Sequence, residues 1–201
     1  MKRIKRLFCI GLVFIIVMET NAQETAKIRT GFGVTFGKEL FLFDEGDASG
    51  LTLPFDFANV SVVIRGTKFR LEPRLGYFRF SRSSSTSFGS GKFTFSNWRL
   101  GALVAANKIK GSTNYYYGAN LGLIFTSQSS NFGSDSDSES KTDFFIGPAI
   151  GGEHMFSENF SLGGEIQVNY ISMGEFNGES SIDVSQTAIS TRGMIVVRWY
   201  L

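Results

Sequence analysis

Apolar and polar residues alternate along this chain in short runs, and the last run reaches the final residue. There Gly193, Ile195, Val197, Trp199 and Leu201 share one parity, while Arg192, Met194, Val196, Arg198 and Tyr200 share the other. Successive side chains of a β-strand point to opposite faces, so a period of two predicts strands rather than helices. Eight strands are expected, over 27–37, 56–65, 68–80, 92–105, 114–126, 142–154, 160–172 and 188–201. Each has an apolar face, such as Phe32, Val34 and Phe36 in the first, Leu121, Leu123 and Phe125 in the fifth, or Leu162, Ile166 and Val168 in the seventh. The opposite faces carry charged, amide or small residues, including Arg70, Glu72, Arg74 and Gly76, then Asn97, Arg99 and Gly101, then Ser161, Gly163, Glu165 and Gln167.

Such runs suit a tilted bilayer crossing, which takes about 9–11 residues per strand. Backbone N–H and C=O groups find no water in hydrocarbon, so only helices or a closed barrel can span it. No apolar run after residue 22 is long enough for a spanning helix, and the patterning selects the barrel. A membrane barrel turns its apolar face outward and encloses its polar face, the reverse of a soluble barrel. The expected class is therefore all-β, an eight-stranded antiparallel up-and-down transmembrane β-barrel.

The links between runs alternate in length. Those at 66–67, 107–112 and 156–158 are short; those at 38–55, 81–91, 127–141 and 173–187 are long. Short periplasmic turns and long outer loops have this rhythm. Gly66-Thr67 predicts a type II′ hairpin turn, pairing Ile64 with Phe69, Val62 with Leu71 and Ser61 with Glu72. Aromatic rings favour the two bilayer interfaces. Tyr115, Tyr117, Phe160, Trp199 and Tyr200 are expected as a periplasmic girdle; Phe36, Phe80, Phe93, Phe95, Phe125 and Phe144 are expected as an outer one. Phe55, Phe57, Phe93 and Phe95 fall on the polar parity of their strands, which calls for a bulge or an end above the membrane. Pro73 and Pro148 sit inside strands, where proline removes a ladder hydrogen bond and marks a bulge or an edge.

The first 22 residues read as an export signal. Lys2, Arg3, Lys5 and Arg6 precede an apolar run over 7–18, and Ala22 is a fitting last residue before cleavage. That run is too short for a membrane anchor. The expected division is thus a signal peptide over 1–22 and one barrel domain over 23–201. The leader takes with it those four basic groups, Glu19 and Cys9, which turns the formal charge of +2 slightly negative. The basic isoelectric point accordingly implies no nucleic-acid partner, and the mature domain has no thiol or disulfide.

The run Phe69-Arg70-Leu71-Glu72-Pro73-Arg74-Leu75-Gly76-Tyr77 and the aromatic final strand Val196-Val197-Arg198-Trp199-Tyr200-Leu201, together with the leader, resemble the small eight-stranded outer-membrane barrels of the OmpA/OmpX type. The resemblance is to an architecture and spans nearly the whole mature chain. It implies residence in a bacterial outer membrane among its lipid and lipopolysaccharide. It also implies insertion by the outer-membrane assembly machinery, which reads the last strand.

Candidate chemistry is sparse. His154 is the single histidine, with Glu153 and Glu158 nearby, but its lipid-facing parity beside a tight turn makes it an interface residue rather than part of a Ser-His-acid set. Acids at alternate positions in Gly133-Ser134-Asp135-Ser136-Asp137-Ser138-Glu139-Ser140 have the oxygen spacing of a calcium loop but lack its glycine and distal glutamate, so a solvated loop is expected. No cofactor or metal is expected. The inward charges are the main polar set. Glu72, Arg74 and Arg99 should lie close across the third and fourth strands, and Glu165 and Arg192 diagonally across the seventh and eighth. An eight-stranded lumen is just filled by side chains, so these should form a plugged polar core. The expected role is structural or interactive, carried by the outer loops, whose ligand the sequence does not name. The alternatives are a narrow pore, a lipid-A-modifying enzyme and a soluble lipocalin-like binder.

Overall fold

The computed structural model describes residues 28–42, 56–86, 89–132, 135–174 and 187–201. The expected signal peptide over 1–22, Phe55 and the side chain of Phe57 lie outside the described residues. Eight strands follow one another as β1 (Arg29–Leu42), β2 (Asp56–Arg65), β3 (Phe69–Thr86), β4 (Gly89–Lys110), β5 (Thr113–Phe132), β6 (Asp135–Met155), β7 (Phe160–Ser172) and β8 (Thr187–Tyr200). Each pairs antiparallel with its sequence neighbour, and β8 closes on β1. The sheet is staggered as it closes. A path of paired residues from Arg29 runs through Arg65, Arg70, Ala105, Gly118, Ala149, Gln167 and Arg192, and re-enters β1 at Glu39, ten residues beyond its start. This stagger is what tilts the strands of a closed barrel.

The two faces sort as the parity requires. Phe32, Leu100, Tyr117, Ile150, Ile166, Ile195 and Trp199 are all more than half exposed on the outside. Glu72, Arg74, Arg99, Glu165 and Arg192 are buried within. Outward grease and enclosed charge are stable only if hydrocarbon surrounds the barrel.

Four observations correct the sequence reading of the elements. The hairpin after β2 turns on Thr67-Lys68 rather than Gly66-Thr67, with the Gly66 N–H donating to the Phe69 carbonyl at 2.9 Å. Ile64 therefore pairs with Leu71, and Ser61 with Arg74. The shift is two residues, so every side chain keeps its face. Among the described glycines, Gly111 enters the left-handed region, φ 61°, at the first position of the two-residue β4–β5 turn, where primed hairpin turns demand it.

The prolines produce no bulge. Pro73 pairs with Ala102 of β4, and the β2–β3 register is the same on either side of a two-residue lapse opposite Val62 and Val63. Pro148 pairs with Ala119 of β5 and leaves a similar lapse towards β7. In each case the missing donor faces one neighbour only, and the ladder resumes in step.

Two of the four long links are largely strand. The residues at 81–86 belong to β3 and those at 135–140 to β6, so the tips narrow to 87–88 and 133–134. The strands β3 to β6 reach 18, 22, 20 and 21 residues, about twice what a tilted crossing needs. Half the barrel wall consequently continues past the belt of exposed apolar residues as a four-stranded sheet.

Candidate functional site

Among the described residues, most interior charges gather into two clusters. Glu153, on the inward parity of β6, is the hub of the lower one. Its carboxylate accepts from Arg198 Nη1 at 2.8 Å, the Tyr200 hydroxyl at 2.7 Å, Asn114 Nδ2 at 2.8 Å, Ser161 Oγ at 3.0 Å and Arg65 Nη1 at 3.1 Å, and also from Arg70. Arg198 spans from Glu153 to Glu72, where its Nη2 donates at 2.7 Å. Arg74 donates both terminal nitrogens to Glu165, at 2.6 and 2.7 Å, and its Nε to Glu72 at 3.2 Å. Tyr116 donates to Glu165 at 2.9 Å, and the Arg70 guanidinium lies over its ring at 4.2 Å. Gly151 makes room for that ring, since a Cβ there would overlap it.

The upper cluster is built on Glu39, which accepts from Arg99 Nη1 and Ser190 Oγ, each at 2.8 Å. Arg192 stands directly across from Glu39 in the β1–β8 register. The Arg99 guanidinium covers the Phe145 ring at 4.1 Å, and Phe145 packs with Ile124, Ile171 and Ala188 into an apolar layer in the same lumen. Charges withdrawn from water are tolerated where they are paired and hydrogen-bonded, as the carboxylates of Glu39, Glu72, Glu153 and Glu165 are.

The sequence reading placed Glu72, Arg74, Arg99, Glu165 and Arg192 inside, and the register sets Arg99 diagonal to Arg74 and Glu165 diagonal to Arg192. Glu72 and Arg74 meet at 3.2 Å; the other close ion pairs of this set run further, from Arg99 to Glu39 and from Arg74 across the lumen to Glu165. Neighbours across a lumen depend on the stagger of the whole barrel, which adjacent strands alone do not specify. Glu39, Arg65, Arg70, Tyr116, Glu153, Arg198 and Tyr200 belong to the network beyond the sequence reading. Strand parity is the signal for all but Glu39, which falls in the expected 38–55 link. Tyr200 is a correction to the girdle: it is 1 % exposed and bonds Glu153, because Trp199, its neighbour, takes the outward face. Tyr115, Tyr117 and Trp199 do point outward, and Phe160 packs tilted against Trp199, ring centroids 5.5 Å apart.

His154 is exposed on the outer face, its Nδ1 3.2 Å from Thr113 Oγ1, with Phe156 set edge-on to its ring. Glu153 points the opposite way, and the residues around His154 assemble no nucleophile–base–acid set among the described residues. Nor do the described acids gather into a metal-binding group.

The raised wall reverses the pattern below it. Its outer face carries Ser81, Ser83, Thr94, Ser96, Ser127, Ser129, Ser138 and Ser140, with Ser81 and Thr94 hydroxyls 3.2 Å apart. Its inner parity carries Phe78, Phe80, Phe93 and Phe95, so Phe80, Phe93 and Phe95 face the concave side and leave the outer girdle to Phe36, Phe125 and Phe144. One row across the wall reads Phe80, Phe95, Gln128, Glu139; the next reads Arg82, Phe93, Ser130, Asp137. Phe80 and Phe93 remain 44 % and 41 % exposed. An aromatic patch with Arg82 at its edge thus lies one strand away from the carboxylates of Asp137 and Glu139, beyond the apolar belt.

The chain was compared with known proteins. No family model matches it, and no curated protein does. Among solved structures, Ail, the attachment invasion locus protein of Yersinia pestis in complex with the heparin analogue sucrose octasulfate, aligns with a TM-score of 0.57 at 14% identity, over 87% of this chain and 99% of that one. Neisserial surface protein A aligns at 0.52 and 17% identity, over 88% of this chain and 99% of the other. The fold is that of the small outer-membrane barrels. In this outer-membrane barrel fold the short turns and the paired chain ends share one rim, and the raised wall stands on the other.

Proposed function

We propose that this chain resides in a bacterial outer membrane as a closed, non-conducting and non-enzymatic barrel that holds the β3–β6 wall above the surface for contact with a partner. The observation that carries this reading is the filled lumen: Arg70, Glu72, Glu153, Glu165 and Arg198 are each 2 % exposed or less and bridge the barrel from wall to wall. A lumen stitched in this way leaves no continuous path for water or ions. The aromatic patch suits an apolar partner, with a cation of that partner opposite Asp137 and Glu139 on β6 rather than opposite Arg82 on β3. The same carboxylates oppose a sulfated ligand such as the one bound to Ail. Surrounding lipid and lipopolysaccharide meet the outer apolar belt, and the assembly machinery reads β8.

Single-channel recording of the refolded protein in a planar bilayer tests the closed lumen. No steady conductance is expected, and a reproducible one would overturn the reading. Lipid A from cells with and without the gene should give identical mass spectra; a mass shift would restore the enzyme. For the wall, binding of a labelled lysine–leucine peptide should weaken about ten-fold in Phe80→Ser/Phe93→Ser, in line with the loss of a buried aromatic contact. Unchanged affinity would remove the wall as the contact surface.

A further inference from the structure

The rim opposite the raised wall is basic on its lipid-facing side. Lys68 sits in the β2–β3 turn, and its carbonyl accepts from the Asn107 N–H at 2.9 Å, which fixes the turn beside β4. Lys108 and Lys110 follow on β4 with the outward parity of Leu100 and Val104. Lys108 is paired in register with Tyr115, and Lys110 with Thr113, whose other neighbour is His154. From hydrocarbon towards water the outer face therefore reads Val104, then Ala106 beside Tyr117, then Lys108 beside Tyr115, then Lys110 beside Thr113. Exposed Tyr115 and Tyr117 mark the headgroup level, and the exposed Lys108 and Lys110 lie at it or just beyond, with exposed Lys68 on the adjoining turn.

Among the described residues, none of the three lysines has an ion pair. Of the carboxylates at this end, Glu153 is enclosed in the lumen by Arg65, Arg70 and Arg198, and Glu158 stands apart from the three lysines on the β6–β7 turn, where its backbone carbonyl accepts from Arg29. Arg29 adds to the positive rim.

We propose that Lys68, Lys108 and Lys110, with Tyr115 and His154 at their flank, form a site for the headgroup phosphate of an anionic phospholipid in the facing leaflet. The apolar strip of Val104, Ala106, Tyr117 and Ile150 directly beneath receives the acyl chains, which is why a lipid fits this face better than a free phosphate. The inference rests on the membrane residence proposed above. Each lysine near an anionic surface adds attraction that salt weakens.

The test is native mass spectrometry of the refolded full chain released from nanodiscs of phosphatidylcholine alone and of phosphatidylcholine with phosphatidylglycerol. Wild-type protein should retain phosphatidylglycerol in preference to phosphatidylcholine. The triple variant Lys68→Gln/Lys108→Gln/Lys110→Gln should lose about ten-fold of that preference, while Lys92→Gln, at the far end, keeps it. Adding inorganic phosphate should not displace the lipid. Equal retention of both lipids, a triple variant like wild type, or displacement by free phosphate would each overturn the site while leaving the barrel intact. Failure of the wild type to enter either bilayer would instead overturn the membrane reading, and this site with it.

Discussion

Glu153 concentrates more of the interior than any other single side chain described, taking hydrogen bonds from Arg65, Arg70, Asn114, Ser161, Arg198 and Tyr200. Its removal would strand guanidinium groups with no water to receive them. Glu153→Ala should therefore destabilise the barrel by about 3–5 kcal/mol, the usual result of leaving a buried charge unpaired. The check is the urea or temperature midpoint of the folded band in unboiled gels, and an unchanged midpoint would show that residue 153 does not face the lumen. Gly151→Ala probes the same region by shape, since the new methyl meets the Tyr116 ring. A loss of about 1–3 kcal/mol is expected in the same assay. Strand parity made most of these placements legible in the sequence. Tyr200 departs from the girdle reading because Trp199 takes the outward parity, and the outward parity of His154 is the sequence signal that Glu153 faces the lumen.

At the scale of elements, length separates the two halves of the barrel. The strands β1, β2, β7 and β8 have 10 to 14 residues, near the need of a crossing, whereas β3 to β6 continue well past it. The bilayer boundary on β5 and β6 should then fall between Phe125 or Phe144 and the serine-rich segments beyond. Leu121→Arg, near mid-depth, should cost about 2–4 kcal/mol, and Ser138→Arg, on the outer face of the wall, close to nothing. Equal costs in the unboiled-gel assay would contradict the boundary. These extensions were hidden in the sequence because Ser81-Arg82-Ser83-Ser84 and Ser136-Asp137-Ser138-Glu139 have the composition of loops. What holds them as strands is cross-strand pairing, Ser81 with Thr94 and Gln128 with Glu139, which composition does not register.

For the whole molecule, strand order, closure and the sorting of faces followed from alternation alone, because lipid outside and a narrow lumen inside leave one arrangement for apolar and charged parities. The choice of ion-pair partners did not follow, since Arg74 meets Glu165 only after the sheet has closed with its ten-residue stagger. The central claim is the outward orientation of the apolar parity into hydrocarbon. Spin labels placed one at a time at 116, 117, 120, 121, 166, 167, 195 and 196 in the bilayer-inserted protein measure it directly through their relative accessibility to oxygen and to a water-soluble nickel complex. Positions 117, 121, 166 and 195 should be reached by oxygen, with 116, 120, 167 and 196 shielded from it. Oxygen access at the second set, with the first set shielded, would contradict the account.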